Sequence, residues 1–263
     1  MDERERKQGK SVSKKHMRAR RKRRRRKKMI RALLLTLMFI MGIFIIGLVL
    51  YIGKSLFGSE DGDSGKFLWN MGSFGKADIV LDAGHGGKDQ GASSGNVLEK
   101  AITLVITEKT AEILENAGYE VGLVRDDDTF VELEDRIKYG NRKEAKVFVS
   151  IHCNSAEEEA DGIETFYAES KEESSQKLAK ILQEHLITET GARDREVKTA
   201  DYAVILGTEM PAALVEVGFL SDAGERTLLQ TEEYQEKLAE GIAQGIIEYL
   251  NQQQVKQEPD ESL

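Results

Sequence analysis

The sequence predicts an α/β fold, a single domain with a mainly parallel sheet flanked by helices, preceded by one transmembrane helix. Three observations predict it. From Ala77 onward, short apolar runs rich in Val and Ile alternate with longer amphipathic stretches, the order of a sheet with helices on both faces. The run Val147 to Ile151 is apolar almost throughout, as a parallel strand buried on both sides requires. Ala32 to Ile52 is 21 residues without a charge, and at 1.5 Å per residue it spans roughly 30 Å of hydrocarbon. With 263 residues, 40% hydrophobic, and only two prolines, the chain holds one sizeable core and is not of low complexity.

Residues 1–31 read as a basic cytoplasmic tail. They carry 17 Lys and Arg against 3 acids, a balance of +14 that leaves −22 for the remainder of a chain whose net charge is −8. Such a run also suits nucleic acid, but the apolar segment at 32–52 directs it to anionic lipid at the cytoplasmic membrane instead. That segment exceeds the apolar core of a signal peptide and no small-x-small cleavage site follows, so an uncleaved single-pass anchor is expected, with the acidic part exported. Residues 53–76, rich in Gly, Ser and Asp, form a flexible linker. A catalytic domain is expected at 77–252 and a polar tail at 253–263.

Within the domain, Ile79 to Leu81 is the first strand, and Leu98 to Ala117 a helix with Gly118 just past its end. Val121 to Val124 is a strand, Phe130 to Ala145 a helix with Leu133 and Ile137 inward, and Val147 to Ile151 and Ile163 to Tyr167 are strands. Ser174 to Thr190 is an amphipathic helix ending at Gly191. Ala203 to Leu206 and Ala213 to Val217 are further strands, and Thr231 to Gln252 closes the domain.

Four side chains fall at equivalent places on this plan. His85 follows the first strand in a loop crowded with glycine, Glu99 opens the first helix, His152 ends the third strand and Glu216 ends the last. In a parallel sheet those strand ends share one edge. Two histidines and a carboxylate are an open zinc set, and a further acid nearby would be the base. Taken singly, His85 reads equally as a loop histidine, Glu99 as a helix N-terminal acid favoured by the dipole, and His152 as a buried histidine bonded to backbone. Glu216 sits inside Ala-Ala-Leu-Val-Glu-Val-Gly-Phe-Leu, where an unpaired carboxylate costs several kcal/mol. His16 and His185 read as solvent residues. Cys153 is the single cysteine, so no intrachain disulfide forms; it reads as a small hydrophobe or a thiolate beside His152.

The segments Leu81-Asp82-Ala83-Gly84-His85-Gly86-Gly87, Leu98-Glu99-Lys100, Ser150-Ile151-His152-Cys153-Asn154 and Leu214-Val215-Glu216-Val217-Gly218-Phe219-Leu220-Ser221 resemble the zinc-dependent N-acetylmuramoyl-L-alanine amidases of bacterial cell walls. The resemblance spans about Ala77 to Leu250 and includes Leu133-x-x-Arg136 and Gly162-Ile163-Glu164. It implies that His85, Glu99 and His152 bind one Zn²⁺, that Glu216 is the catalytic glutamate, and that the substrate is peptidoglycan, cut between N-acetylmuramic acid and L-alanine. Asp82 is expected to orient a ligand, and Asn154, Arg193 and Arg195 to face the substrate. Many relatives have alanine at the position of Cys153, which favours its reading as a small substitution. Some relatives carry an inhibitory helix after the second histidine; only Ser155 to Asp161 separate Asn154 from Gly162 here, so an open site, controlled if at all by an activator outside the domain, is expected. Rival readings are a non-catalytic, membrane-anchored peptidoglycan-binding protein and a zinc peptidase cutting the stem peptide.

Overall fold

A computed structural model describes residues 75–156 and 160–257. The expected basic tail at 1–31, the membrane helix at 32–52 and nearly all of the linker at 53–76 lie outside the described residues, as does the end of the polar tail from 258 onward. Among the described residues no helix is long and apolar enough to cross a membrane.

The elements are β1 (Ile79–Ala83), the short ribbon β2 (Ser93–Ser94) and β3 (Val97–Leu98), α1 (Glu99–Asn116), β4 (Val121–Leu123), α2 (Leu133–Lys143), β5 (Val147–Asn154) and β6 (Ile163–Tyr167). They continue with α3 (Glu172–Thr190), β7 (Asp194–Thr199), α4 (Ala203–Gly207), β8 (Ala212–Phe219), α5 (Ala223–Leu228) and α6 (Glu232–Gln257). Six strands form one sheet in the order β4-β1-β5-β8-β6-β7. The strands β4, β1, β5 and β8 run parallel, β6 runs antiparallel to β8, and β7 follows β6.

Side-chain alternation divides the sheet between two cores. Ile79, Leu81, Val149, Ile151, Val215 and Val217 pack with Ile106 of α1, Leu182 of α3 and Ile242 of α6. Val80, Phe148, Phe166 and Leu214 pack on the other face with Tyr139 of α2 and Ile205 of α4. The same period of two carries that second face into polar positions toward the sheet edge: Asp82 follows Val80, Ser150 and His152 follow Phe148, Glu216 follows Leu214, and Glu164 precedes Phe166. The sequence therefore builds its chemistry by continuing apolar stripes with polar side chains.

The structure corrects three expectations and adds one strand that none of them covered. Ala203 to Leu206 is helix, not strand: the adjacent Val204 and Ile205 are both buried while Ala203 and Leu206 are exposed, and the place beside β8 is taken by β6. The strand at that sheet edge is β7, Asp-Arg-Glu-Val-Lys-Thr, whose charged residues suit an edge but hide it from a hydrophobic pattern. Leu133 is not inward but 57% exposed at the start of α2. Finally, α6 runs on to Gln257, so the polar tail starts helical.

Candidate metal centre and active site

The loop after β1 is pinned from behind by two buried guanidiniums. Arg136 of α2 donates to the carbonyl oxygens of Val131 at 3.0 Å, Ala83 at 2.8 Å and His85 at 2.6 Å, and to Asp82 Oδ1 at 2.6 Å. Ser150 Oγ donates to the other Asp82 oxygen at 2.8 Å. Arg125, just past β4, donates to Ala83 O at 2.9 Å, Gly84 O at 2.7 Å and Lys100 O at 2.9 Å. Carbonyls that a glycine-rich turn leaves without ladder partners are satisfied this way. His85 itself is held at φ 61°, a left-handed conformation uncommon for a residue with a Cβ and of the kind found where function fixes the backbone.

So held, His85 meets the other donors. Its Nε2 lies 3.1 Å from Glu99 Oε2, and His152 Nδ1 lies 2.9 Å from Glu99 Oε1. The two imidazoles stand edge to face with centroids 5.0 Å apart. One donor atom from each of His85, Glu99 and His152 falls within 4.8 Å of the others. Two glycines make room: a Cβ on Gly84 would lie 2.5 Å from the His152 ring, and one on Gly91 would collide with Glu99 and His85. Burial works to raise the Glu99 carboxyl, but hydrogen bonds from His152 and His85 outweigh it and bring it to about 2. Burial lowers His85, yet Glu99 and then Asp89 raise it on balance. An ionised carboxylate between two imidazoles, in a cradle without space for a Cβ, fits a zinc ion in its donor chemistry.

Glu216 stands in register with His152 on the neighbouring strand. Its Oε2 is buried without a hydrogen-bond partner, and burial pushes its carboxyl up to about 7, a value suited to a proton carrier at neutral pH. A pocket of about 400 Å³ opens beside these groups, lined by His85, His152, Leu133, Tyr202 and Val204 among others.

The structure thus brings together the four residues singled out from sequence. Asp82 bonds to none of His85, Glu99 and His152 through its side chain; it pairs with Arg136 and accepts from Ser150. Asn154 donates to Glu164 at 2.7 Å, and Arg195 Nε donates to the same carboxylate at 2.9 Å. Arg193 pairs with Asp161 at the exposed surface. Cys153 is buried in the opposite core, where burial raises its thiol far above the usual range, so it is a small hydrophobe. His185, expected in solvent, is partly covered and bonded to Glu248 at 2.7 Å. Sequence reasoning missed Asp89, which accepts from His85 Nδ1 at 2.8 Å, although its position four residues on in the same tight loop was a usable signal. It also missed Arg125 and Lys198, whose partners are remote in sequence.

A sheet edge bearing two histidines and an unpartnered buried glutamate, with the helix-borne carboxylate of Glu99 between the histidines, is a candidate metal centre beside a proton carrier on an α/β fold. Residues 79–248 match the family described as Amidase_3, N-acetylmuramoyl-L-alanine amidase. The chain is 39% identical over 175 residues to the uncharacterized protein YqiI of Bacillus subtilis (strain 168), covering 66% of this chain and 85% of that one. It is 32% identical over 225 residues to the germination-specific N-acetylmuramoyl-L-alanine amidase of the same strain, covering 80% and 94%. The solved CwlD amidase of Clostridioides difficile, in complex with the GerS lipoprotein, is similar with a TM-score of 0.64 and 37% identity, covering 67% of this chain and 99% of that one. The chain belongs to the N-acetylmuramoyl-L-alanine amidase family and is an enzyme of that type.

Proposed function

We propose that the chain hydrolyses, with zinc, the amide between N-acetylmuramic acid and L-alanine in peptidoglycan, as a membrane-anchored enzyme on the outer side of the cytoplasmic membrane. The convergence of His85, Glu99 and His152 beside the unpartnered Glu216 Oε2 carries the reading. Zinc held by those three residues would supply Lewis acidity for the amide carbonyl and for water. Asp89 holds the His85 ring through Nδ1 and so fixes which nitrogen faces the centre. Glu216 takes the proton from the attacking water at Oε2 and returns it to the departing amine. Asp82 acts at a distance, fixing Arg136 and thereby the His85 carbonyl. Asn154 and Arg195 face the peptide, and Arg193 serves as an outer contact.

The anchor and its basic tail on anionic lipid rest on the sequence of residues 1–52. Among cell separation, wall turnover and spore cortex maturation or germination, alignment with a germination-specific amidase through 80% of this chain supports the last. The CwlD amidase is found in complex with the GerS lipoprotein, which supports a protein partner outside the domain for this chain too.

The test is zinc stoichiometry and product release from purified peptidoglycan, for the parent and Glu216→Gln. One zinc in both chains, with intact stem peptides released by the parent and at least about 100-fold slower by the variant, is expected. Shortened stems would establish a peptidase, and zinc binding without release a binder. Full activity of Glu216→Gln would remove that residue from the mechanism.

A further inference from the structure

Beyond Glu216 the row of polar side chains continues across the sheet. Glu164 of β6 is in register with Glu216 and only 4% exposed, because the reversed direction of β6 places its first residues at the edge where β5 and β8 end. Both of its oxygens are engaged: Oε1 accepts from Asn154, while Oε2 accepts from Arg195 Nε at 2.9 Å and from Lys198 Nζ. One buried carboxylate thus holds two cations of β7. The backbone is shaped for this. The β6–β7 register shifts between Ile163 and Thr165, and Glu196 in that bulge has φ 70°, a left-handed conformation for a residue with a Cβ. A bulge re-aims a side chain, and this one turns Arg195 toward the face that bears Glu164, with its guanidinium over the Phe219 ring at 4.7 Å. Lys198 stays partly exposed, its ammonium 5.9 Å from the ring of Phe166, and Tyr202 of the pocket wall lies edge to face on that same ring at 5.3 Å.

Two cations against Glu164 leave a surplus positive charge at this edge of the sheet, with Lys198 partly exposed beside Phe166, the ring that packs on Tyr202 of the pocket wall. We propose that Arg195 and Lys198, held by Glu164, form a subsite for a carboxylate of the substrate's peptide half. This rests on the amidase reading above, which also fixes the half: the lactyl carboxyl of the glycan is consumed in the scissile amide, so free carboxylates belong to the peptide. The reach agrees. Two strand spacings separate β8 from β7, roughly 10 Å, which an extended peptide covers in about three residues. Arg195 and Lys198 bind the substrate, and Glu164 is a positioning residue acting through them.

The test measures kcat and KM on the full chain supplied with zinc, using N-acetylmuramyl tripeptides that end in a free carboxylate or a carboxamide. The parent should prefer the acid about tenfold, expressed in KM, as one charge-assisted hydrogen bond allows. Lys198→Ala, Arg195→Ala and Glu164→Gln should each bring the acid-to-amide ratio toward one. An unchanged ratio in both Lys198→Ala and Arg195→Ala, or a parent preference for the amide, overturns the subsite. If the parent releases peptide from neither substrate, the amidase reading has failed. The two free tripeptides are then titrated calorimetrically into the Glu216→Gln chain: tighter binding of the acid, lost with Lys198→Ala, supports the subsite, and equal binding overturns it.

Discussion

Replacing Arg136 by methionine keeps most of the side-chain volume and removes the guanidinium. Asp82 has no exposure and Arg136 only 3%, so the variant strands a carboxylate whose remaining hydrogen bond is from Ser150. The carbonyls of Val131 and His85 each lose a donor, whereas Ala83 O keeps Arg125. Breaking a buried pair in this way costs about 3–5 kcal/mol. Against a domain stability of about 5–15 kcal/mol, that is a large fraction. At about 2–4 °C per kcal/mol for a domain of this size, a loss of about 4 kcal/mol lowers Tm by about 8–16 °C. Thermal and urea unfolding followed by circular dichroism measure it, with zinc titration alongside, since the freed His85 loop should also weaken metal binding. Adding Asp82→Asn to Arg136→Met removes the stranded charge and should recover at least about 1 kcal/mol through coupling of the two sites. A loss below about 1 kcal/mol in the single variant, or no recovery in the double, would refute the account of how the loop is held.

Gly84→Ala places a methyl against the His152 ring and should weaken zinc binding, with a stability loss of about 1–3 kcal/mol; zinc affinity equal to the parent's would show that the cradle is not tight. Glu164 feels burial, which raises its carboxyl, but Lys198 and Arg195 bring it below the ordinary glutamate value, so its contribution to stability is present above the unfolded pKa and lost as pH falls through the lower folded one. The difference in urea midpoint between the parent and Glu164→Gln should accordingly narrow as pH drops below about 4.3, and a constant difference contradicts the ion cluster. Cys153→Ala should retain one zinc per chain while losing about 1 kcal/mol from the core, and loss of zinc would place the thiol at the metal.

Much of this was legible in the sequence, for identifiable reasons. Strands β1, β5 and β8 are buried on both faces and announce themselves as apolar runs, and the residue that breaks each run marks the edge where His85, His152 and Glu216 gather. Glu99 was legible because it opens a helix beside that edge. What stayed hidden depends on pairing distant in sequence. Strand β7 is mostly polar and becomes a strand by hydrogen bonding to β6, while Ala-Val-Ile-Leu at 203–206 is too short for its period to separate helix from strand. The guanidinium network was half visible: Arg136 lies in a recognisable motif, but Arg125 acts on carbonyls about 40 residues away, which no local pattern reports.

If zinc is the ion this site takes, as proposed, the two arginines behind the first loop have a consequence for the chain without it. In small zinc domains the ion assembles its own ligands and its loss unfolds the chain. Here the backbone at 83–85 is already held by the protein's own cations, and Glu99 receives backbone amides from Ala92 and Cys153 in addition to the imidazoles. Chelation should therefore silence the site while leaving the fold standing, and restored zinc should return activity at the speed of ion capture rather than of refolding. On the zinc reading proposed above, such an enzyme would keep its fold while unloaded and wait only for the ion.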